Sequence, residues 1–416
     1  MLISQDTLCR LLLLSASGIL FNNILIFRTH GFAVTLPHLL LAMTTGATLL
    51  KKHRVDYRLA LIFIIMILFE ICHAIGSGFM SDSEWQKSFA LFAVYGTCFI
   101  ILTKFNLNRN TLIKCAPWIA KLGIIMGGVG ILQFILFGIG VQASIPEGWC
   151  VRSLTPIGKL IRHGGYRPAI GFATEPSYYA IGLITLLVCL FFLYNSSLIN
   201  NKRLYWGSVF ILLVGVLCSF SLAGIIILVI LLAGLLFFTN RIKKVVFITV
   251  IIFSILFGIG QSIGIFDSIA SRLQKTIQGL DNSAQIRVVA AIRLLFAESN
   301  SFETFMFGAG LGMEDREQSI YFSIYEDTTI RSFNQNSIKI HNIITAIKFF
   351  QGWLGIILYG IMLWIILLPL AGKYNTFLPI LIFFVLFHFS SGLYLNPVFW
   401  SFLALVTLLR RATISN

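Results

Sequence analysis

The sequence contains few charged residues for its length. Only 11% of its 416 residues are Asp, Glu, Lys or Arg, whereas 57% are hydrophobic, and the mean hydropathy is +0.90. Soluble domains carry roughly 25% charged residues, so this composition excludes a soluble protein that has one membrane anchor. The chain is predicted to be an integral membrane protein that is surrounded by the lipid bilayer.

The sequence also lacks paired cysteines and clusters of metal-ligating residues. It has seven cysteines and no CxxC pair, and all of the cysteines except Cys150 lie in or beside apolar segments. None of the seven histidines forms a pair with a convincing metal-ligand spacing. We therefore expect neither a disulfide framework nor a metal site.

Long apolar runs recur along the whole chain. A helix needs about 20 apolar residues to cross the hydrocarbon core of a bilayer, and the runs approach this length. Residues 1–416 are therefore predicted to form one all-α polytopic membrane domain with about twelve spanning helices. The predicted spans cover residues 11–27, 32–50, 59–75, 89–102, 116–140, 178–194, 245–266, 352–371, 376–393 and 397–409, together with two short helices in a hairpin over residues 205–239 that turns near residues 219–224.

Acidic residues are scarce, with 16 Asp and Glu against 31 Lys and Arg. In a soluble protein this excess would suggest nucleic acid, but here the basic residues concentrate in alternate, short connections, as the positive-inside rule describes. Nucleic acid is therefore excluded as a partner, and both termini are predicted to be cytoplasmic. The basic residues are Lys51, Lys52, Arg54, Arg58, Lys104, Arg109, Lys114, Lys202, Arg203, Arg241, Lys243, Lys244, Lys373, Arg410 and Arg411.

Two connections on the opposite side are long, at residues 141–177 (the first outer loop) and 267–340 (the second outer loop). Polar chemistry is expected there. For any single arginine in these loops, contact with lipid headgroups or acids is the commoner role. As a set, the arginines suggest an anionic ligand such as a diphosphate, because guanidinium groups bind phosphate oxygens bidentately. The set includes Arg152, Arg162, Arg167, Arg272, Arg287, Arg293, Arg316 and Arg331.

Within the second outer loop, residues 283–299 predict an amphipathic helix on the membrane surface. Its apolar stripe is expected to be Val288, Ala291, Ile292, Leu295 and Phe296. Arg287 borders this stripe and is the better phosphate ligand. Arg293 falls on the other side, where a solvated charge is the commoner role.

A glycine-rich turn with Gly308 and Gly310 follows in the second outer loop. Its backbone N–H groups can approach an anion, although an ordinary turn is the commoner meaning of such a sequence. His341 then closes the loop and opens the next helix, with Lys348 on the same face. An imidazole there can take a proton from a hydroxyl near neutral pH, and a lysine can stabilise a leaving phosphate, but a lone histidine is more often structural.

Three motifs resemble those of one group of membrane enzymes. His341-Asn342, followed after nine residues by Gly352-x-x-Gly355, resembles the histidine motif of bacterial O-antigen ligases. Residues 167–177 (RPAIGFATEPS) resemble the arginine, glycine and Glu-Pro-Ser element of O-antigen polymerases, and residues 307–312 resemble a Gly-x-Gly turn of both. The chain thus resembles the O-antigen polymerase and ligase superfamily of integral membrane glycosyltransferases.

The resemblance implies a GT-C-like fold in the bacterial inner membrane, with the active site facing the periplasm. It implies transfer of a glycan from an undecaprenyl diphosphate-linked oligosaccharide to a sugar hydroxyl, without metal or cofactor, and a chain-length regulator protein as a partner. His341 would be the base that activates the acceptor or a group that orients it, and Arg167 and Arg287 would bind the diphosphate. Further substrate-binding candidates are Arg162, Arg293, Lys348, Asn342, Gly308 and Gly310. Glu175 could act as a base or position a sugar hydroxyl. Alternatively, Glu-Pro-Ser starts a helix with Pro176 in its first turn, and Glu175 or Ser177 lies near the cap, with Ser177 the preferred capping residue.

Several functions stay open on the sequence alone. Glu-Pro-Ser-Tyr-Tyr at 175–179 favours a polymerase, whose acceptor is another lipid-linked repeat unit, over a ligase, whose acceptor is lipid A-core. The ligase element Arg-x-x-x-Leu is absent at Arg287 and Arg293. A flippase for lipid-linked sugars would place cations along a path inside the membrane, where candidates are few. A scaffold for an export complex predicts that replacing His341 or Arg287 leaves glycan assembly intact.

Overall fold

The computed structural model describes residues 4–29, 32–51, 54–105, 107–141, 150, 168–238, 243–262, 264, 267–278, 291–296, 301–312, 342–367, 374–390 and 395–414. Helices dominate these ranges. They are α1 (Gln5–Ala16), α2 (Leu36–Leu49), α3 (Tyr57–Gly76), α4 (Ser83–Leu102), α5 (Arg109–Gly138), α6 (Pro176–Asn195), α7 (Lys202–Cys218), α8 (Leu222–Phe238), α9 (Lys243–Ser262), α10 (Asp267–Ile277), α11 (Ala291–Phe296), α12 (Phe302–Phe307), α13 (Ile343–Leu367), α14 (Tyr374–Ser390) and α15 (Pro397–Ile414).

Five of these helices, α3, α4, α5, α6 and α13, are long and apolar enough to cross a membrane. Shorter apolar helices occupy Leu36–Leu49, Leu222–Phe237, Val246–Ser262, Phe377–His388 and Pro397–Leu409. The predicted hairpin over residues 205–239 is confirmed, since α7 ends at Cys218 and α8 begins at Leu222. A membrane protein built mainly of apolar helices is therefore confirmed, while the number of spans and their orientation stay predictions.

The N-terminal region differs from the predicted spans over residues 11–27 and 32–50. Helix α1 ends at Ala16, and a 3-10 helix (Gly18–Phe21) and an antiparallel hairpin of β1 (Leu25–Thr29) and β2 (Phe32–Thr35) follow it. The Ser17 hydroxyl donates to the Leu13 carbonyl, which ends the helix locally. The fold is still nearly all helical, but residues 18–35 do not form the two predicted spans, because hydropathy reports an apolar run and not its backbone conformation.

The second outer loop contains more regular structure than its prediction as a loop. The described part includes α10, α11 and α12. Helix α11 lies inside the predicted amphipathic helix at residues 283–299, and the rest of that prediction falls outside the described residues.

Helix α6 lies at the centre of the bundle. In its most apolar window 89% of the residues are buried, against 39–44% in the other four long helices. Because other helices surround α6 on all sides, its first residues are fixed relative to their neighbours. The segment that leads into Pro176 is therefore fixed at its C-terminal end.

The basic connections meet at one end of the bundle. Lys114 Nζ lies 3.4 Å from Asp6 Oδ2, which joins the start of α5 to the start of α1. The Asp56 N–H donates to Thr103 Oγ1 at 3.0 Å, which joins the start of α3 to the end of α4. Lys104 Nζ donates to the Leu49 carbonyl at 3.3 Å. The structure thus places these connections together, and we call this end the basic end.

Small residues let α5 and α7 approach closely. A Cβ added at Gly127 of α5 would lie 2.8 Å from the Ile211 carbonyl oxygen, and one added at Gly123 would lie 2.5 Å from Ser208 Oγ. Glycine pairs spaced by four residues allow close backbone contact between helices in a bilayer, where the hydrophobic effect does not drive helix association. The Gly123-x-x-x-Gly127 pair is therefore a packing motif.

We expect Gly127→Ala to lower the melting temperature of the detergent-solubilised protein. The added methyl group would collide with backbone, and such overpacking costs about 1–3 kcal/mol. The matched control is Gly128→Ala, because a Cβ at Gly128 meets no atom within 4 Å. This control gains about 1 kcal/mol of helix propensity and should melt at or above the wild-type temperature. Equal melting temperatures for the two variants would contradict the packing motif.

Candidate functional site

The described end of the second outer loop docks on a break in helix α13. Gly352 has φ +62° and ψ −164°, so it interrupts the helix and leaves carbonyl groups of the preceding turn without their usual helical donors. The N–H groups of Ala309 and Gly310 donate to the carbonyls of Phe349 and Phe350 at 2.8 and 3.0 Å. We call residues 306–312 and 349–352 together the glycine junction.

Both backbone segments of the glycine junction need glycine at the position where they meet. Gly308 has φ +79°, and a Cβ there would lie 2.5 Å from the backbone nitrogen of Gln351. A Cβ at Gly352 would lie 2.6 Å from the backbone nitrogen of Phe307. Side chains essentially never come so close, and positive φ disfavours them further. The first glycine of the His341-Asn342-x9-Gly motif is thus a position of direct backbone contact.

The donors that were expected to bind an anion already have acceptors inside the protein. The Gly308 N–H donates to the Thr304 carbonyl at 2.9 Å, and the Gly310 N–H donates to Phe350 as described above. Direct binding of a ligand by these two N–H groups would require the glycine junction to open. In this structure the two glycines shape the backbone instead.

The first turns of α13 carry two of the candidate substrate-binding residues. Asn342 is buried and its Oδ1 accepts from the Thr345 N–H at 3.1 Å, which caps the start of the helix. Lys348 is also buried, and its Nζ donates to the Leu294 carbonyl of α11 at 3.4 Å. The ammonium group therefore links α13 to α11.

Helix α11 meets the protein through a different face than predicted. Leu294, outside the expected apolar stripe, is buried, whereas Phe296, inside that stripe, is 72% exposed. Arg293 is exposed. The contact with α13 explains this arrangement, because Leu294 faces the bundle and Phe296 is left facing outward, where a bilayer would cover it.

The C-terminal end of α3, at His73 and Ser77, holds α12 beside the glycine junction. His73 Nε2 lies 3.9 Å from Glu303 Oε1, and the Ser77 hydroxyl donates to the same carboxylate. The His73 ring also stacks on Phe307, with ring centroids 5.7 Å apart. Because α3 starts at the basic end, these contacts place the glycine junction at the opposite end of the bundle.

The segment at residues 168–175 is fixed by hydrogen bonds to three other parts of the chain. Gln133 Oε1 of α5 accepts from the N–H groups of Ile170 and Gly171 at 2.8 and 2.9 Å. The Ala169 N–H donates to the Cys218 carbonyl at the end of α7, and the Thr174 N–H donates to Asn22 Oδ1. Since α5 also starts at the basic end, this segment lies at the same end of the bundle as the glycine junction, opposite the basic end.

Glu175 occupies the N-cap position of α6, with Pro176 in the first turn as predicted. Its side chain makes no capping hydrogen bond, and the Ser177 hydroxyl donates to Glu175 Oε2 at 3.5 Å. The expectation that Ser177 caps the helix was wrong, because Ser177 already lies within the first turn. The half-buried Glu175 carboxyl stands at the start of α6, where the helix dipole favours negative charge.

The structure brings Asn342, Lys348, Gly308 and Gly310 together around α13, while Glu175 belongs to the segment held by Gln133. His341, Arg287, Arg167 and Arg162 lie outside the described residues. Two of them directly adjoin fixed positions, since His341 precedes the helix cap Asn342 and Arg167 precedes residues 168–175. In the described ranges there is no group of three or more His, Cys, Asp or Glu that could hold a metal ion.

The sequence alone did not indicate the structural roles of Gln133 and Glu303 or the surroundings of Glu70. Gln133 is a lone amide within a long apolar helix, a signal of a hydrogen-bonded role that hydropathy averages away. Glu303 pairs with His73 across 230 positions of sequence, and no local pattern predicts such a pairing.

We expect Gln133→Leu to loosen residues 168–175. The substitution removes the acceptor of two buried N–H groups, and each unsatisfied group costs about 1–3 kcal/mol. Amide hydrogen exchange over these residues should rise by at least about tenfold, while the matched control Gln86→Leu, at an exposed site on α4, should leave it unchanged. Unchanged exchange in Gln133→Leu would show that other contacts suffice to hold the segment.

Comparison with known proteins gives one match over nearly the whole chain. A family model described as WcaD colanic acid polymerase matches residues 9–412. The matched range includes both the segment that leads into α6 and the glycine junction. No curated protein and no solved structure matches the chain.

Proposed function

Since the chain belongs to the WcaD colanic acid polymerase family, we propose that it lengthens a polysaccharide by joining lipid-linked repeat units at the periplasmic face of the inner membrane. The family match over residues 9–412 carries this proposal. It supports a membrane glycosyltransferase of the polymerase type, as the O-antigen polymerase motifs suggested. The family description names colanic acid, whereas the sequence motifs resemble those of O-antigen polymerases, and we propose a polymer of the colanic acid type.

The proposed donor is an undecaprenyl diphosphate-linked oligosaccharide. A sugar hydroxyl of a second lipid-linked unit attacks the anomeric carbon of the donor, and a new glycosidic bond forms as the bond to the phosphate oxygen breaks. The bonding electrons leave with undecaprenyl diphosphate, and the hydroxyl proton passes to the imidazole of His341. Arg167 and Arg287 stabilise the charge that develops on the leaving diphosphate.

The fixed backbone around the proposed site supports these roles. An arginine that binds a transition state must be held in place, and Arg167 directly precedes a segment that is anchored to α5 and α7. His341 likewise precedes a capped helix whose break is locked by the glycine junction. Glu175, half-buried at the start of α6, is proposed to position a sugar hydroxyl.

Lys348 and Arg293 have subsidiary roles in this proposal. The Lys348 ammonium holds α11, and so fixes the helix that follows Arg287, rather than contacting the diphosphate directly. Arg293, which is exposed, and Arg162 are proposed to attract the anionic donor to the outer face. A chain-length regulator protein is proposed to act as a partner of the enzyme.

The polar residues inside the helices do not favour a flippase. The imidazole of His388 accepts from the Tyr359 hydroxyl and donates to the Phe384 carbonyl at 2.7 Å, so both of its nitrogens have partners within the protein. Lys348 is likewise bound to a backbone carbonyl. A path for a diphosphate would need cations available to the ligand, so these contacts are typical of structural roles.

Removing the protein from its host cell tests the proposed function. If it is a polymerase, long polysaccharide disappears and lipid-linked single repeat units accumulate, and supplying the wild-type chain restores the polymer. A ligase would instead leave long lipid-linked polymer that is not attached to lipid A-core, and a flippase would trap single units on the cytoplasmic leaflet. Unchanged long polysaccharide would contradict the proposal.

A further inference from the structure

Glu70 is a fully buried carboxylic acid in the apolar helix α3, with 0% of its surface exposed. Three donors from three other elements face its carboxyl group: the Trp85 indole of α4, the Gln351 amide of α13 and the backbone N–H of Leu311. Glu70 therefore lies where α3, α4, α13 and the glycine junction meet.

The contacts of Glu70 are not those of a residue that is retained for stability alone. Within the described part of the chain, its carboxyl oxygens make no hydrogen bond of ordinary geometry. Burial of a carboxyl group without well-formed bonds costs free energy, and an apolar residue of similar volume would avoid this cost. Such exceptions are expected where a group serves function.

Glu70 faces both backbone segments of the glycine junction. Leu311 belongs to the segment at residues 306–312, and Gln351 directly precedes the helix break at Gly352. The junction also packs on α4, because a Cβ at Gly312 would lie 2.9 Å from the Glu84 carbonyl oxygen. Donors from both segments face the one carboxyl group, although none of them forms a bond of ordinary geometry with it, so their common attraction to Glu70 relates the two segments to each other.

We propose that Glu70 is a positioning residue for the transfer reaction. Its carboxyl group holds the glycine junction closed and so sets the position of the first turns of α13, whose cap, Asn342, directly follows His341 in the sequence. Residues 343–351 form a continuous helical segment, which transmits a shift at Gln351 to the N-terminal end of α13. This role rests on the proposed function for its effect on rate, but its effect on the glycine junction stands independently.

Two variants separate positioning from acid-base chemistry. Glu70→Gln keeps an acceptor of the same shape, whereas Glu70→Leu removes it. In chain elongation by the purified protein, we expect Glu70→Leu to lower kcat by about 30-fold or more with KM changed by less than about threefold. Glu70→Gln should keep at least about a third of the wild-type kcat. The matched control is Gln86→Leu, whose side chain is exposed on α4, and it should elongate like the wild type.

Hydrogen exchange supplies a readout that does not depend on activity. In Glu70→Leu, exchange over residues 306–312 should rise by about tenfold or more, while exchange in α5 and α7 stays unchanged. The proposal is overturned if Glu70→Gln is as inactive as Glu70→Leu, which would indicate proton chemistry at this carboxyl. It is also overturned if Glu70→Leu exchanges like the wild type or unfolds throughout. If the wild-type protein itself fails to elongate, the proposed function fails, and hydrogen exchange still decides whether Glu70 holds the junction.

Discussion

Gly352→Ala is expected to abolish chain elongation. The backbone conformation of Gly352, with φ +62° and ψ −164°, is essentially restricted to glycine and costs other residues about 1–3 kcal/mol. The added Cβ would also collide with the backbone at Phe307, for a further cost of about 1–3 kcal/mol. Together these costs open the glycine junction, and since about 1.4 kcal/mol corresponds to a factor of ten, we expect elongation to fall by about 100-fold or more.

The matched control for Gly352→Ala is Gly360→Ala in the same helix. A Cβ at Gly360 meets no atom within 4 Å, and the surrounding backbone is helical, so this variant should elongate at the wild-type rate. Initial rates of both purified variants, compared with their elution as folded protein on a sizing column, check the prediction. If both variants kept full activity, the helix break would have no functional importance.

His341→Ala is expected to have an equally large effect, with a fall in the rate of elongation of about 10²–10⁴-fold. In the proposed mechanism the neutral imidazole takes the acceptor proton. The wild-type rate should therefore rise with pH as the imidazole loses its proton, and then level off. His341→Ala should lack this rise. Initial rates measured from pH 5 to pH 8 supply both comparisons.

The control for His341→Ala is His53→Ala, in a basic connection on the predicted cytoplasmic side. It should retain the wild-type rate and the wild-type dependence on pH. A slow His341→Ala variant that still showed the rise would indicate that another group accepts the proton. A fully active variant would leave the family motif without a catalytic role at this position and would favour the scaffold hypothesis.

Much of the helical framework could be predicted from the sequence, because span length and apolar character are local properties. The hairpin between α7 and α8 and the start of α6 at Pro176 follow from a run too long for one span and from the preference of proline for the first helical turn. Both lie within a few residues of their predicted positions.

The N-terminal hairpin and the glycine junction could not be predicted in the same way. Residues 18–35 are apolar enough to suggest helices, but pairing between β1 and β2 and the bonds of Asn22 and Asn23 to residues 172–174 decide their conformation. Gly308 and Gly310 suggested an anion-binding turn, because the sequence shows which backbones can approach closely and does not show what they approach. Here the partner is α13, more than 30 residues further along the chain.

Glu70 illustrates the same difficulty for the candidate site. In the sequence it is one acid in an apolar helix, a pattern typical of a membrane transport path as well as of a structural contact. Only the fold shows that its carboxyl group faces Leu311 and Gln351 from two distant segments. The proposed positioning role therefore depends on contacts between elements that are individually unremarkable in sequence.

We propose that this chain joins lipid-linked repeat units without any other protein. The most direct test is to incubate the purified wild-type protein in liposomes with one undecaprenyl diphosphate-linked repeat unit and to analyse product length on gels and by mass spectrometry. A polymerase would give a ladder of products that differ by one repeat unit and remain lipid-linked. The proposal is contradicted if the substrate stays a single unit, and most clearly so if added lipid A-core then becomes glycosylated or if the lipid-linked unit only changes leaflet.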